Sequence, residues 1–339
     1  MNFELLDEKY SFRIYVTLCE RGVFLICKTR TDGLQIAGLQ ALYERLDAGH
    51  LKKDAVLSKW QSAKFGVIGE ERITELFYTY HFPFDYRILH DVSLSSSGKF
   101  QVDTLMLTPY FAVILESKNI SGVLRFETKP DRLVRTLKNG QLDVFENPAV
   151  QVERNMYLLE DWLLARGLDV PVLGAIVLTG NYQQVELAPE YVPVIFTKTI
   201  PVFLRKLDRQ RSYLSLDQLD WLVQELIASH RAFMPFPMCM RWGIDIAELR
   251  SGVKCTECGH FGMERIKRTW ECPICKHRDA KAHEHTIRDW FMLVSKTITN
   301  KECRQFLHID HHQTASRILN CKELIVKGVG KGTTYEMKF

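Results

Sequence analysis

The sequence predicts a mixed α/β domain with the core order α-β-β-β-α-β, followed by two small modules. Three observations carry this reading. An apolar hairpin pattern folds at the Thr108-Pro109-Tyr110 turn, helical periodicity brackets it at 54–80 and 148–165, and four cysteines beyond residue 250 fall into two CxxC pairs.

Residues 1–53 read as a hairpin and a helix. The apolar run 14–27 is broken by Glu20, Arg21 and Gly22, which suits a β-hairpin, and a helix follows over 38–46. Glu4, Asp7 and Glu8 stand where an export signal would carry basic residues, so a cytoplasmic protein is expected. The main domain is placed at 54–233. Its first helix covers 54–80, strands follow at 86–94, 100–107 and 111–118, and a hairpin-like insertion occupies 123–144. Asn147 is a helix cap and Pro148 the first helical residue of a helix running to about Ala165, with Gly167 behind it. Strands at 172–179 and 192–197 and a helix over 215–230 close the domain. Two prolines in FMPFPMCMRW (233–242) break both periodicities, so 234–250 reads as a linker. Beyond it lie modules at 251–280 and 283–339.

The 339 residues are 46% hydrophobic and 25% charged, enough for one sizeable core and smaller modules. Apolar stretches such as 111–115 and 172–178 fall far short of the roughly 18 to 20 residues of a membrane span, so no membrane partner is expected. The net charge of +4 is uneven: residues 251–339 hold 16 Lys and Arg against 10 Asp and Glu, so the remainder is slightly acidic. The basic end is the candidate for phosphate contact. Of nine cysteines, Cys19, Cys27, Cys239, Cys303 and Cys321 have no ligand-like spacing and read as buried small hydrophobes. A homo-oligomer is left open.

Folding QVDTLMLTPYFAVILESKN at Pro109 brings Asp103 opposite Glu116 or one residue away. Glu116 and Lys118 then project together from the end of an apolar strand. Two carboxylates and an ammonium there are costly unless compensated, and a hard divalent cation such as Mg²⁺, or Mn²⁺ in its place, compensates them with oxygen ligands from Asp103 and Glu116. Lys118 would orient the attacking water and offset charge on the phosphate oxygens. A surface ion pair is the plainer reading of the same residues.

Glu70 leads the stripe Ile73, Phe77, Tyr80, which aims a carboxylate at the core side. Gly66 and Gly69 would let that helix approach closely. Glu70 could equally serve the helix dipole, as could Glu71. Gln151 heads the stripe Asn155, Leu158, Trp162; it could donate to a phosphate or to Glu116, or be a buried amide satisfied by backbone.

The run from about Lys28 to Trp162 resembles the nuclease-related (NERD) family of the PD-(D/E)xK nuclease superfamily. The resemblance rests on a leading helix ending in Arg45, Leu46 and His50, on Gly66, Gly69 and Glu70, on Gln101 and Asp103, on Glu116 and Lys118 followed by Asn119 and Gly122, and on Asn147, Pro148 and Gln151. It implies a restriction-endonuclease-like core with a mixed sheet. It also implies an active-site triad of Asp103, Glu116 and Lys118, with Glu70 and Gln151 in support. Val102 replaces the proline of the superfamily motif.

Cys255 and Cys258, then thirteen residues, then Cys272 and Cys275 are the tetrahedral thiolate spacing that Zn²⁺ favours. Four protein ligands leave no open position, so this module reads as a structural zinc ribbon. An iron-sulfur cluster or redox pair is the alternative, and His260, His277, His283 and His285 stand nearby. Arg265, Lys267, Arg268 and Trp270 set positive charge beside an aromatic ring, suited to stacking on single-stranded nucleic acid, although a solvated basic loop reads equally well.

From Ile287 the pattern is helix, helix, turn, helix, hairpin. A helix over 300–307 turns Cys303, Phe306 and Leu307 inward; Asp310 caps a second over 311–321 with Ala315, Ile318 and Leu319 inward. The ending turns at 328–332 and resembles the wing of a winged helix-turn-helix. In that reading His312, Gln313, Ser316, Arg317 and Asn320 meet base edges while Lys327 and Lys331 reach phosphates. The expected function is a metal-dependent nuclease cutting DNA, with RNA left open, tethered by ribbon and winged helix. The alternative is a catalytically inactive DNA-binding regulator or scaffold.

Overall fold

The computed structural model describes residues 3–6, 13–19, 22–30 and 33–338, with side chains from Ile26 onward except Lys331. Asp7, Glu8, Glu20 and Arg21 lie outside the described residues, as do the side chains of Glu4, Cys19 and Lys331. Two compact units emerge, Met1–Thr31 with Lys64–Phe233, and Asp32–Ala63 with Met234–Phe339. Helix α1 (Gly33–Arg45) belongs to the second unit, and helix α2 (Lys53–Thr79) to the second up to Ala63 and to the first thereafter.

The first unit is built on a mixed sheet. Its strands are β1 (Phe3–Leu6), β2 (Arg13–Cys19), β3 (Gly22–Lys28), β4 (Tyr86–Ser95), β5 (Lys99–Leu107) and β6 (Ala112–Lys118). An insertion follows, with β7 (Gly122–Thr128), β8 (Asp131–Thr136) and β9 (Leu142–Phe145), and then α3 (Pro148–Leu164), β10 (Val172–Leu178), β11 (Gln183–Leu187), β12 (Val194–Phe196), α4 (Ile200–Lys206) and α5 (Leu216–Ser229). The large sheet runs β1-β2-β3-β4-β5-β6-β10-β12. β4, β5 and β6 are antiparallel neighbours, while β3 pairs with β4, β6 with β10 and β10 with β12 in parallel. The expected hairpin insertion is three strands, widened by β11 into a second sheet ordered β11-β7-β8-β9.

Alternation along the strands feeds two cores. On one face Leu105, Leu107, Ala112 and Ile114 pack with Leu159, Trp162 and Leu163 of α3 and Leu222 of α5. On the other, Met106, Val113 and Leu115 meet Ile73 and Phe77 of α2 and Leu204 of α4. β10 lies between two parallel neighbours and is apolar almost throughout, as a strand covered on both faces must be. The start of α3 is fixed locally: Asn147 Oδ1 accepts from Ala149 N at 3.0 Å, and Pro148 gives up a donor the first turn cannot use.

The second unit adds α6 (Met238–Trp242), β13 (Glu264–Ile266), β14 (Thr269–Glu271), β15 (Arg278–Asp279), α7 (Ala282–Leu293), β16 (Thr297–Thr299), α8 (Asn300–Leu307), α9 (His312–Leu319), β17 (Leu324–Lys327) and β18 (Thr334–Met337). The stretch expected as a linker is packed instead. Phe236, Met238, Cys239, Ile244 and Leu249 are buried against Leu39, Leu42 and Leu46, because the prolines hold an extended entry into α6 and leave its apolar side chains facing α1. Arg45, fully buried, binds Asp289 at 2.8 Å and the Arg250 carbonyl at 2.7 Å. Asp310 is not the cap of α9: the helix starts one residue later, at His312, and His311 occupies the cap position with no side-chain cap bond among the described residues. Cys27, Cys239 and Cys303 are buried, but Cys321 is exposed at the end of α9. Among the described residues no helix is long and apolar enough to cross a membrane.

Candidate functional site

The β5-β6 ladder pairs Thr104 with Leu115 and stops there. Continued by one step it would set Asp103 opposite Glu116. Instead the Asp103 carboxylate turns to the last residues of β6, its Oδ2 accepting from Ser117 N at 3.0 Å and Ser117 Oγ at 3.2 Å. Glu116 and Lys118 share a face, as strand alternation requires. Lys118 Nζ lies 2.6 Å from Glu116 Oε1 and donates to Gln151 Oε1 at 3.3 Å. The other oxygen, Glu116 Oε2, is buried with no hydrogen-bond partner among the described residues.

Charge at this corner is poorly solvated. Burial, then the negative charge of Asp103, pushes the Glu116 carboxyl well above its usual range, against the restraint of Lys118 and Gln151. Burial also works against the Lys118 ammonium, but Glu116 and Asp103 outweigh it and hold its pKa above the ordinary lysine value. Glu70, on α2, is raised by burial first and by Asp103 second, with Arg30 opposing. A hard divalent cation fits such a place: the donors are oxygens, one of them unpartnered, and the excess charge is negative. The carboxylates of Glu70, Asp103 and Glu116 do not gather tightly, since among the described residues only the cysteines below bring three or more metal-ligating atoms all within 4.8 Å.

Glu70 does not simply serve a helix dipole, for it lies within α2 rather than in its first turn, and Arg30 Nη1 stands 2.5 Å from its Oε2. The two glycines beside it part company. A Cβ on Gly69 would collide with Thr179 and Asn119, whereas one on Gly66 would meet nothing within 4 Å, so only Gly69 permits a close approach. Arg30 gathers His90, Asp91 and Thr104 as well as Glu70, contacts between elements that the sequence pattern does not specify. The available signal is the polar His90-Asp91 pair within the strand ILHDVSL.

The cysteine quartet closes as its spacing predicts. Cys255 Sγ lies 3.6 Å from Cys275 Sγ, and Cys258 Sγ 3.6 Å from Cys272 Sγ, close to the about 3.8 Å edge of a tetrahedron with 2.3 Å metal-sulfur bonds. Each knuckle turns through a left-handed residue, Gly259 at φ 73° and Lys276 at φ 59°. The group can hold a metal ion. Trp270 cannot stack on a base: it is fully buried beneath Arg265 in a core shared with Trp290 and Phe306, and donates through Nε1 to His283 Nδ1 at 3.1 Å. Arg268 is exposed.

On α9, His312, Gln313, Arg317 and Asn320 are exposed, while Ala315, Ile318 and Leu319 are buried. Ser316 is half-buried and its Oγ accepts from Asn300 Nδ2 at 2.9 Å. β17 and β18 form a hairpin joined to β16, and Lys327 projects from it 3.7 Å from Glu336.

No curated protein and no solved structure matches the chain. Residues 65–179 match the family model of the nuclease-related domain. The expected leading-helix residues Arg45, Leu46 and His50 fall outside that segment, in the second compact unit. Residues 65–179 are therefore a nuclease-related (NERD) domain, and Glu70, Asp103, Glu116, Lys118 and Gln151 all lie within it.

Proposed function

We propose that this chain is a metal-dependent nuclease acting on DNA, with a restriction-endonuclease-like core whose site is Asp103, Glu116 and Lys118, supported by Glu70 and Gln151. The observation that carries the reading is the buried Glu116 Oε2, unpartnered among the described residues, beside an ammonium and a second carboxylate within the nuclease-related segment. Asp103 and Glu116 would hold Mg²⁺ or Mn²⁺. When bound, such a cation supplies Lewis acidity toward the scissile phosphate and offsets the carboxylate charge. Lys118 offers a proton donor to the phosphate oxygens and orients water, and Gln151 fixes the ammonium from the other side.

The second unit supplies the tether. Cys255, Cys258, Cys272 and Cys275 hold Zn²⁺ as a structural ribbon. The helices and hairpin of 283–339 act as a winged helix, with His312, Gln313, Arg317 and Asn320 toward bases and Lys327 toward phosphate. Ser316, occupied by Asn300, orients α9 rather than reading a base. Incubation with plasmid and with single-stranded DNA in Mg²⁺ or Mn²⁺ tests the reading. Cleavage by the native protein and none by Asp103→Ala supports it; no cleavage by either leaves a DNA-binding regulator.

A further inference from the structure

Arg30 follows β3 and lies outside the matched segment, yet its guanidinium enters the same corner of the first unit. Its side chain is 8% exposed, and all three nitrogens face acceptors. Nη1 is 2.5 Å from Glu70 Oε2 and 3.7 Å from Asp91 Oδ1; Nη2 donates to Thr104 Oγ1 at 2.9 Å and lies 3.2 Å from His90 Nδ1; Nε reaches Thr74 Oγ1 at 3.4 Å. A guanidinium can only donate, so His90 Nδ1 is an acceptor, shared with the Thr104 hydroxyl at 3.0 Å. The ring proton then sits on Nε2, facing Thr74 Oγ1 at 3.3 Å. Four of its five N–H groups are spent on these bonds and Nη1 also pairs with Asp91, so its effect passes chiefly through the groups it holds.

The backbone is arranged for the same end. Asp91 adopts φ 51°, a left-handed conformation in mid-strand that non-glycine residues rarely take. The β4-β5 ladder passes from His90 paired with Thr104 to Val92 paired with Val102, skipping Asp91 and Asp103. Lys28, 2% exposed, donates its Nζ to the carbonyls of His90 at 2.8 Å and Asp91 at 3.0 Å, holding the kink. The end of β3 thus fastens both the kinked strand, through Lys28, and the helix carrying Glu70, through Arg30.

We propose that Arg30 is a positioning residue of the site: it pins the Glu70 carboxylate in one orientation beside Asp91 and the His90-Thr104 pair. This rests on the reading of Glu70 as a site residue. A double-mutant cycle tests it on the full chain, with Arg30→Met, Glu70→Gln, the pair, and Arg30→Lys. Arg87→Met serves as control, because Arg87 is a buried arginine of the same unit paired with Asp220 at 2.7 Å and remote from the acids in role. Cleavage in Mn²⁺ gives kcat and KM, electron paramagnetic resonance gives Mn²⁺ affinity, and melting gives stability. Arg30→Met lowers kcat about tenfold or more with KM within about twofold, and adds nothing in the Glu70→Gln background. Arg30→Lys recovers part of the loss, and Arg87→Met lowers the melting temperature without changing kcat. Equal losses in both backgrounds, or a loss of stability alone, overturn the proposal. Should the native protein cleave nothing, the nuclease reading fails and Mn²⁺ affinity decides: non-additivity there supports Arg30, while additive effects or no Mn²⁺ binding by the native protein overturn it.

Discussion

Lys118 and Glu116 stand on one face of β6 with Nζ and Oε1 2.6 Å apart, the carboxylate 2% exposed and the ammonium 25%. The carboxylate sits deeper than its counter-ion. Asp103, bound to the Ser117 amide, repels it from the neighbouring strand. The pair is therefore held by the fold against a desolvation cost that surface ion pairs do not meet.

Replacing Lys118 with Met leaves Glu116 without its cation. Cleavage falls by about a hundredfold or more. Stability falls by about 1 to 3 kcal/mol at pH 8 and by less at pH 5, where Glu116 takes up a proton instead. Urea titration of metal-free protein at both pH values measures the difference; equal losses would place Lys118 in a packing role only.

Glu116→Gln has opposite effects on stability and activity. A carboxyl whose folded pKa is raised binds its proton more tightly when folded, so its stabilisation is full below the ordinary glutamate range and is lost as pH climbs through the raised value. Removing the charge raises metal-free stability by on the order of 1 kcal/mol at pH 8, with no gain at pH 4. Cleavage is abolished. Calorimetry across this range detects the crossover.

His90 titrates the other way. Burial first, then Arg30, lowers its pKa to about 3 from an ordinary value of 6.5. Protons then bind the unfolded chain more readily, so stability drops as pH falls from about 6.5 toward 3. A His90→Gln variant, unable to titrate, shows a shallower acid limb in pH-dependent melting.

Gly66 and Gly69 separate propensity from packing. Gly66→Ala gains about 0.5 to 1 kcal/mol from helix propensity and leaves cleavage unchanged, since its Cβ meets open space. Gly69→Ala drives a methyl against Thr179 and Asn119 and costs about 1 to 3 kcal/mol, with cleavage reduced as α2 and Glu70 shift. Melting and plasmid cleavage of the two variants check this.

With the quartet holding Zn²⁺ as proposed, Cys272→Ser or chelation is expected to strip the metal and unfold the knuckles. Cys255 and Cys272 share a core with Trp270, Trp290 and Phe306, so the loss spreads to α7 and α8. Metal analysis falls to zero per chain, and hydrogen exchange accelerates across 253–309 while the first unit keeps its protection.

Much of the fold was legible because its determinants are local. The Asn147-Pro148 start of α3, the turn at 108–110 and the knuckle spacing each act within a few residues, and alternation alone put Glu116 and Lys118 on one face. The packing of 234–250 is not legible in sequence because prolines that break periodicity also serve as entries to packed helices, and what they pack on is α1, some two hundred residues earlier. Sequence likewise does not separate a stacking Trp270 from the buried one the fold makes of it.

The order of residues was enough to set which groups exist at the hairpin and in the quartet, since hydrophobic alternation and ligand spacing operate along the chain. What Arg30, His90 and Asp91 do was decided only when β3, α2 and β4 came together. The bonds of Arg30 span 40 to 74 positions, and desolvation, the force that shifts Glu70, Glu116 and His90 from their ordinary acidities, exists only once packed elements exclude water from one corner.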